Sequence, residues 1–505
     1  MSYKKIYFFL LALVLTVPVA LAQSLPALTP PGAIAGFYTR NLAIKKAFFI
    51  AFQAEWNRLD FFDSFENIAE EGGFDAEDLQ IISDVLNIDL VGREGIFVFY
   101  PSGDFFALAR PSADRVDSLI ALLDRSMVNP EIYRGWKLDR SDDGSNPLLV
   151  GHNGELLLLG SQGAVERFLA GDRGIRPPVE GDLVFWVDTG PFAPLLHDPE
   201  LELPPEVIRS ISTFSKFSWA LDIQEGGVFI RSRFALDPNQ DPELASLLLP
   251  TDQAWALDEL PKGVSVSSFV FDLPAFGDYV TNYAQMFGVQ DLQLDLSAFG
   301  DHLAMVDAGT SDPQEALQNS LGNLLFIMET RDSLTAEVTL LSWIQMLAGF
   351  STPEGSGGFR VESLEVAGMP AKMLSVGILG NLYLVSGDDR LYLATSKRAL
   401  QLLDSGETVG EDAGFRRLAQ AYLPASYVSA SYTDNRKTLE QIAGLLPLMM
   451  MQTVDDPDVQ AMTIELTDKY AQFLHFVATR LGPSIGYVQV QGDELIGFGF
   501  MEVAW

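Results

Sequence analysis

The strongest constraint on the fold is a strand–turn–helix pattern that is written twice, in one order, along 505 residues. Residues 154–161 (GELLLLGS) are followed by Ala164, Phe168 and Gly171, and residues 389–396 (DRLYLATS) by Ala399, Leu403 and Gly406. Ser161 and Ser396 are 235 positions apart, and so are Gly171 and Gly406. Weaker pairs fall in the same order: residues 38–42 with 269–273, 103–106 with 322–325, 133–136 with 366–369, and 219–223 with 487–490. Ordered self-similarity at similar, drifting offsets is the mark of a repeated unit. The sequence therefore predicts an α+β chain of two similar units in tandem, each a mainly antiparallel sheet with helices packed on one face. The first unit is expected over 23–250 and the second over 251–505, with a helical insertion near 440–480.

Within one unit the signals are local. Residues 96–100 and 105–109 are apolar runs of strand length around the turn Pro101-Ser102-Gly103-Asp104, a hairpin pattern. Ser112 stands where it would cap a helix whose Val116, Leu119, Ile120 and Leu123 recur at helical spacing. A second hairpin is expected around Asn153-Gly154, the dipeptide that best suits a two-residue turn. Ser161 and Ser396 read as helix N-caps.

These features resemble a bacterial family of exported proteins, the domain of unknown function 3352 family. The likeness rests on the leader, the Leu-Pro strand opening into Asn41-Leu42 or Asp272-Leu273, the strand at Tyr133 to Gly135, the turn-strand-Ser motif from Asn153 to Ser161, and the strands ending at Asp188 and Asp434. The resemblance implies the fold and export. It implies no activity and no catalytic residues.

The N-terminus reads as a secretory signal over residues 1–22. Lys4 and Lys5 precede the apolar run 6–16 (IYFFLLALVLT), Pro18 breaks it, and Ala20-Leu21-Ala22 offers small residues for cleavage before Gln23. That run is too short for a permanent span. The expectation is an exported protein, periplasmic or extracellular, with no stable membrane anchor after cleavage. The chain has no cysteine, so lipid attachment, disulfides and thiolate metal sites are all excluded.

Charge narrows the partners. The chain carries 33 Lys+Arg against 68 Asp+Glu, a net charge of −35, and removal of a leader with two lysines makes the balance more acidic still. Such a surface cannot neutralise phosphates broadly, which argues against nucleic acid. It suits a well-solvated exported protein.

Few residues form a chemical motif. Gly160-Ser161-Gln162-Gly163 lacks the leading glycine of a nucleophile elbow. The four histidines, His152, His197, His302 and His475, form no metal-binding spacing. Residues 139–144 (DRSDDG) begin like a calcium loop, but Val150 stands where the bidentate glutamate is required. No metal and no cofactor is expected. Asp188 and Asp434 are candidate acid/base carboxylates if they converge, with Asp272 as a third; each also suits a strand end that caps the next helix.

The second half differs by added length that contains residues 445–451 (LLPLMMM). Methionine-rich apolar surface adapts to varied ligands. Leu445, Leu448, Met449, Met450 and Met451 are therefore the candidate binding residues. The sequence favours a non-enzymatic binding or cell-envelope role, with an apolar ligand or a protein as partner. The alternative is a hydrolase whose carboxylates assemble only on folding.

Overall fold

The computed structural model describes residues 24–40, 51, 54–55, 58–59, 94–111, 116–140, 147–190, 204–286, 294–310, 322–351, 360–366, 368–376, 380–451 and 457–504. The predicted leader, His197 and residues 141–146 lie outside them. The chain divides into two compact units, Met1–Leu236 and Asp237–Ala504.

The first unit holds β1 (Ala35–Thr39), β2 (Glu94–Phe99), β3 (Phe105–Arg110), β4 (Glu131–Tyr133), β5 (Trp136–Arg140), β6 (Leu148–His152), β7 (Leu157–Ser161), β8 (Leu183–Asp188), β9 (Phe214–Gln224) and β10 (Gly227–Leu236). They pair antiparallel in the order β4, β5, β6, β7, β3, β2, β1, β8, β9, β10.

Alternation along β3 and β7 divides the interior of this unit. Phe106, Leu108 and Leu158 enter a core with Trp136, Val165 and Phe168, the last two from the helix Gln162–Ala170. Phe168 sits 5.1 Å from Phe106 and 5.3 Å from Trp136 between ring centroids. Ala107, Ala109, Leu157 and Leu159 point the opposite way, into a second core with Leu123 of the helix Val116–Ser126. Burial of each large apolar side chain contributes about 1.5–3 kcal/mol.

The second unit holds β11 (Ser265–Val270), β12 (Phe299–Asp307), β13 (Leu324–Thr330), β14 (Arg360–Val366), β15 (Met369–Ser375), β16 (Asn381–Ser386), β17 (Arg390–Ala394), β18 (Ser429–Thr433), β19 (Leu481–Gln491) and β20 (Glu494–Val503). Their antiparallel order is β14, β15, β16, β17, β13, β12, β11, β18, β19, β20. Ala336 and Ile344, on the helix Ser333–Ser351, close over Leu374, Leu382, Leu384 and Leu391.

The expected architecture, two similar units in tandem, each with its own antiparallel sheet and helices on one face, is corrected here. All twenty strands belong to one antiparallel sheet. Hairpin signals are local: they locate strands but not sheet edges. The one-face expectation fails separately, because helices Gln162–Ala170 and Val116–Ser126 supply side chains to the two opposite faces of β3 and β7.

Candidate ligand-binding cleft

The helix Asn435–Met451 begins directly after β18. Asp434 starts it: its Oδ1 accepts the Lys437 amide at 3.2 Å and its own N–H donates to the Val264 carbonyl at 2.8 Å. Asn435 fixes the same end by donating from Nδ2 to the Gly482 carbonyl at 2.8 Å. Ala443 is buried and anchors the middle of the helix. Together these contacts hold one helix face beside the start of β11 and the segment that follows β12.

Between those elements lies a cleft of about 400 Å³, lined by Lys437, Glu440, Gln441, Gly444 and Leu445 of the helix, and by Val264, Thr310 and Arg398 opposite. The helix residues recur at three- and four-residue steps, so they share one face. Gly309 forms the turn beside Thr310 with φ +65°, where a β-carbon would strike Gln441 Nε2 at 2.3 Å. A side chain there would push Gln441 out of place. Gly444 is the reverse case, since a β-carbon added to it would meet nothing within 4 Å.

The charges on this face are organised in pairs. Lys437 Nζ lies 2.9 Å from Asp434 Oδ2, and Arg436 Nε lies 2.9 Å from Glu440 Oε1. The bond to the Asp434 carboxylate holds the Lys437 ammonium above its ordinary range. Arg398 donates from Nε to the Ala308 carbonyl at 3.4 Å.

Of the five predicted binding residues, Leu445 lines the cleft. Leu448, Met449, Met450 and Met451 belong to the same helix, and their side chains lie outside the described residues. Sequence reasoning missed Gln441 and Lys437, although they stand four and eight positions before Leu445 and so share its helix face. Arg398, Thr310 and Val264 come from distant segments and leave no linear signal.

The candidate carboxylates are engaged locally. Asp272 Oδ1 accepts the Ala275 amide at 2.9 Å in the first turn of the helix Leu273–Met286. Asp188 Oδ1 accepts the Gly190 amide at 3.2 Å, and its Oδ2 lies 3.7 Å from Lys216 Nζ. Asp188 belongs to the first compact unit, Asp434 and Asp272 to the second.

Ser161 departs from the cap reading. It precedes the helix Gln162–Ala170, but its hydroxyl makes no cap bond. Its Oγ accepts the Phe105 amide at 3.2 Å and faces the Phe105 carbonyl at 3.3 Å, tying β7 to β3. Ser396 does cap, accepting the Ala399 amide at 3.1 Å. Asp139, first residue of the would-be calcium loop, is buried and accepts the amides of Val128 and Asn129 at 2.8 and 3.1 Å. Among the described residues no group of three or more His, Asp or Glu side chains is placed to hold a metal ion. No described helix is long and apolar enough to cross a membrane.

No family model matches the chain, and no curated protein does. Crystal forms III, I and IV of TP0453 align with it at 13% identity and a TM-score of 0.23. The alignments cover 43–46% of this chain and 80–87% of TP0453. A likeness that slight carries no argument about fold or function.

Proposed function

We propose that this chain is an exported, non-catalytic binding protein that takes an apolar ligand in the cleft along the helix Asn435–Met451. What carries the reading is that Leu445, the first residue of the Leu/Met stretch, lines a cleft of about 400 Å³. Three further features support it. The charged neighbours on the helix are already paired with Asp434 and Arg436, so entry of an apolar group need not strand a lone charge there. The open space above Gly444 leaves room for a ligand to lie against helix backbone. The leader pattern over residues 1–22 supports export, to the periplasm or beyond.

The test has two arms. The mature chain, with Leu445 replaced by Ser or with Leu448, Met449, Met450 and Met451 replaced together by Ser, is titrated with an apolar fluorescent naphthalene probe. Binding at least about fivefold weaker than wild type supports the reading, since the loss of one buried leucine contact is about 1–3 kcal/mol. Unchanged binding in both variants removes the segment from the function. Export is tested by sequencing the N-terminus of the protein recovered outside the cytoplasm: a start at Gln23 supports it, and a chain retained inside with Met1 overturns it.

A further inference from the structure

His302, on β12, places both ring nitrogens against oxygen acceptors. Nδ1 lies 2.7 Å from Glu329 Oε2 on β13, and Nε2 lies 2.9 Å from the Gln253 carbonyl oxygen. A carboxylate and a carbonyl are both acceptors, so the two contacts are satisfied together only when each ring nitrogen carries a proton. A neutral imidazole must turn one lone pair toward an oxygen.

The ring is enclosed by an aromatic face and by charged side chains of both signs. Trp255 stacks on His302 with centroids 5.6 Å apart and planes 15° apart, and the Arg390 guanidinium lies 4.5 Å from the Trp255 centroid. Arg390, on β17, stands directly opposite Glu329 in the strand register. Asp301 adjoins His302 and is paired with Arg331 at 2.9 Å, while Asp272, just past the end of β11, is its charged neighbour. The residue opposite His302 on β11 is the apolar Val270. Glu329 also accepts the amides of Asp301 and His302 at 3.0 and 3.2 Å. Burial pushes the Glu329 carboxyl up, but the His302 ring and these amides more than offset it and hold the group below its usual range.

We infer that His302 is a pH-operated latch on the strap of residues 249–256, closed when the imidazole is charged and opened when it loses a proton. The remaining proton of the neutral ring stays at Nδ1, because a hydrogen bond to a carboxylate is the stronger of the two. The contact to Gln253 is the one lost, and the stacking of a cation on Trp255 weakens with it. The Ala254 amide donates to the Tyr427 carbonyl at 2.9 Å, and loosening around Gln253 and Trp255 lets that bond open more often. Imidazoles change charge between about pH 5 and 8.

The test is amide hydrogen exchange of residues 249–256 in the mature protein from pH 5 to 8, corrected for the intrinsic rate at each pH. Protection is expected to fall by about tenfold as pH rises, the factor that one charge-assisted hydrogen bond carries. His302→Gln, which cannot titrate, is expected to give a flat profile, and Glu329→Gln to move the transition to lower pH. A wild-type profile that is flat, or one that either variant leaves unchanged, overturns the latch. Should H302Q fail to fold, the E329Q shift alone decides.

Discussion

Glu94 and Arg110 stand directly opposite each other on β2 and β3 and form an ion pair in which both side chains are buried. The same carboxylate takes the Tyr38 hydroxyl at 2.8 Å and the Leu25 amide at 2.7 Å, so it ties the first described helix, Leu25–Leu28, to the core. Leu25 is itself fully buried. The start of the predicted mature chain is thus held by one acid with three donors.

Removing that acid leaves the buried guanidinium with the exposed Glu155, 3.3 Å from its Nε, and orphans two further donors. Glu94→Ala is expected to lower stability by about 3–5 kcal/mol, and Glu94→Gln by less, since the amide oxygen still accepts. Urea unfolding monitored by circular dichroism measures both.

Burial sets the alkaline limit. It pushes the Tyr38 hydroxyl far above its ordinary value, with Glu94 adding to the effect, and it does the same for Tyr100 and for Tyr432, where Asp412 adds to it. A phenol with a raised folded-state pKa gives stability that is complete below the unfolded value, near pH 10, and is lost as pH rises beyond it. Absorbance of tyrosinate at about 295 nm is expected to show a fast exposed fraction and a delayed fraction that ionises only with unfolding. Tyr38→Phe and Tyr432→Phe each shrink the delayed fraction.

Asp412 sets part of the acid limit. Its Oδ1 accepts the amides of Gly414 and Phe415 at 2.8 and 3.1 Å and the Tyr432 hydroxyl at 2.8 Å, capping the helix Ala413–Tyr422. Burial pushes this carboxyl up, and the three donors hold it below its ordinary range nonetheless. A lowered folded-state pKa gives stability that is present above about pH 4 and is lost as pH falls through the folded value. Asp412→Ala is expected to cost about 2–4 kcal/mol at neutral pH through a lost cap and an orphaned hydroxyl. Asp412→Asn keeps the cap and flattens the acid dependence. Thermal unfolding across pH 2–7 separates the two.

Strands were legible in the sequence where turn chemistry bounded them. The hairpin of β2 and β3 lies where Pro101 to Asp104 placed it. The turn at Asn153 was foreseen, but in a different form: only Gly154 has positive φ, and the Asn153 side chain accepts the amides of Glu155 and Leu156 at 3.0 and 2.8 Å. Asn153 therefore acts through its carboxamide instead of adopting the left-handed backbone of the expected turn. Coverage of both sheet faces also has a linear signal. Residues 105–109 (FFALA) and 156–159 (LLLL) are continuous apolar runs without polar alternation, which is the pattern of a sheet covered on both faces.

The site was legible in part for a related reason. Leu445 stood out as apolar and helical, and the helix register could have added Gln441 and Lys437. Val264, Thr310 and Arg398 reach the cleft through strand pairing of β11, β12 and β18 and through the helix Lys397–Ser405, contacts made at long sequence separation. His302 and Glu329 are likewise neighbours only because β12 pairs with β13. Spacing rules for metal or acid/base motifs act within a segment and cannot see such pairs.

Filling the cleft beside Gly444 shows whether it receives an apolar ligand. Gly444→Leu removes a helix glycine, which favours the helix by up to about 1 kcal/mol, and it meets open space at the β-carbon. Calorimetric titration of the mature protein with the naphthalene probe is expected to show binding to wild type and a loss of at least about tenfold in the variant, with an unfolding temperature equal to or above that of wild type. A stable Gly444→Leu protein that binds the probe as wild type does would contradict the account.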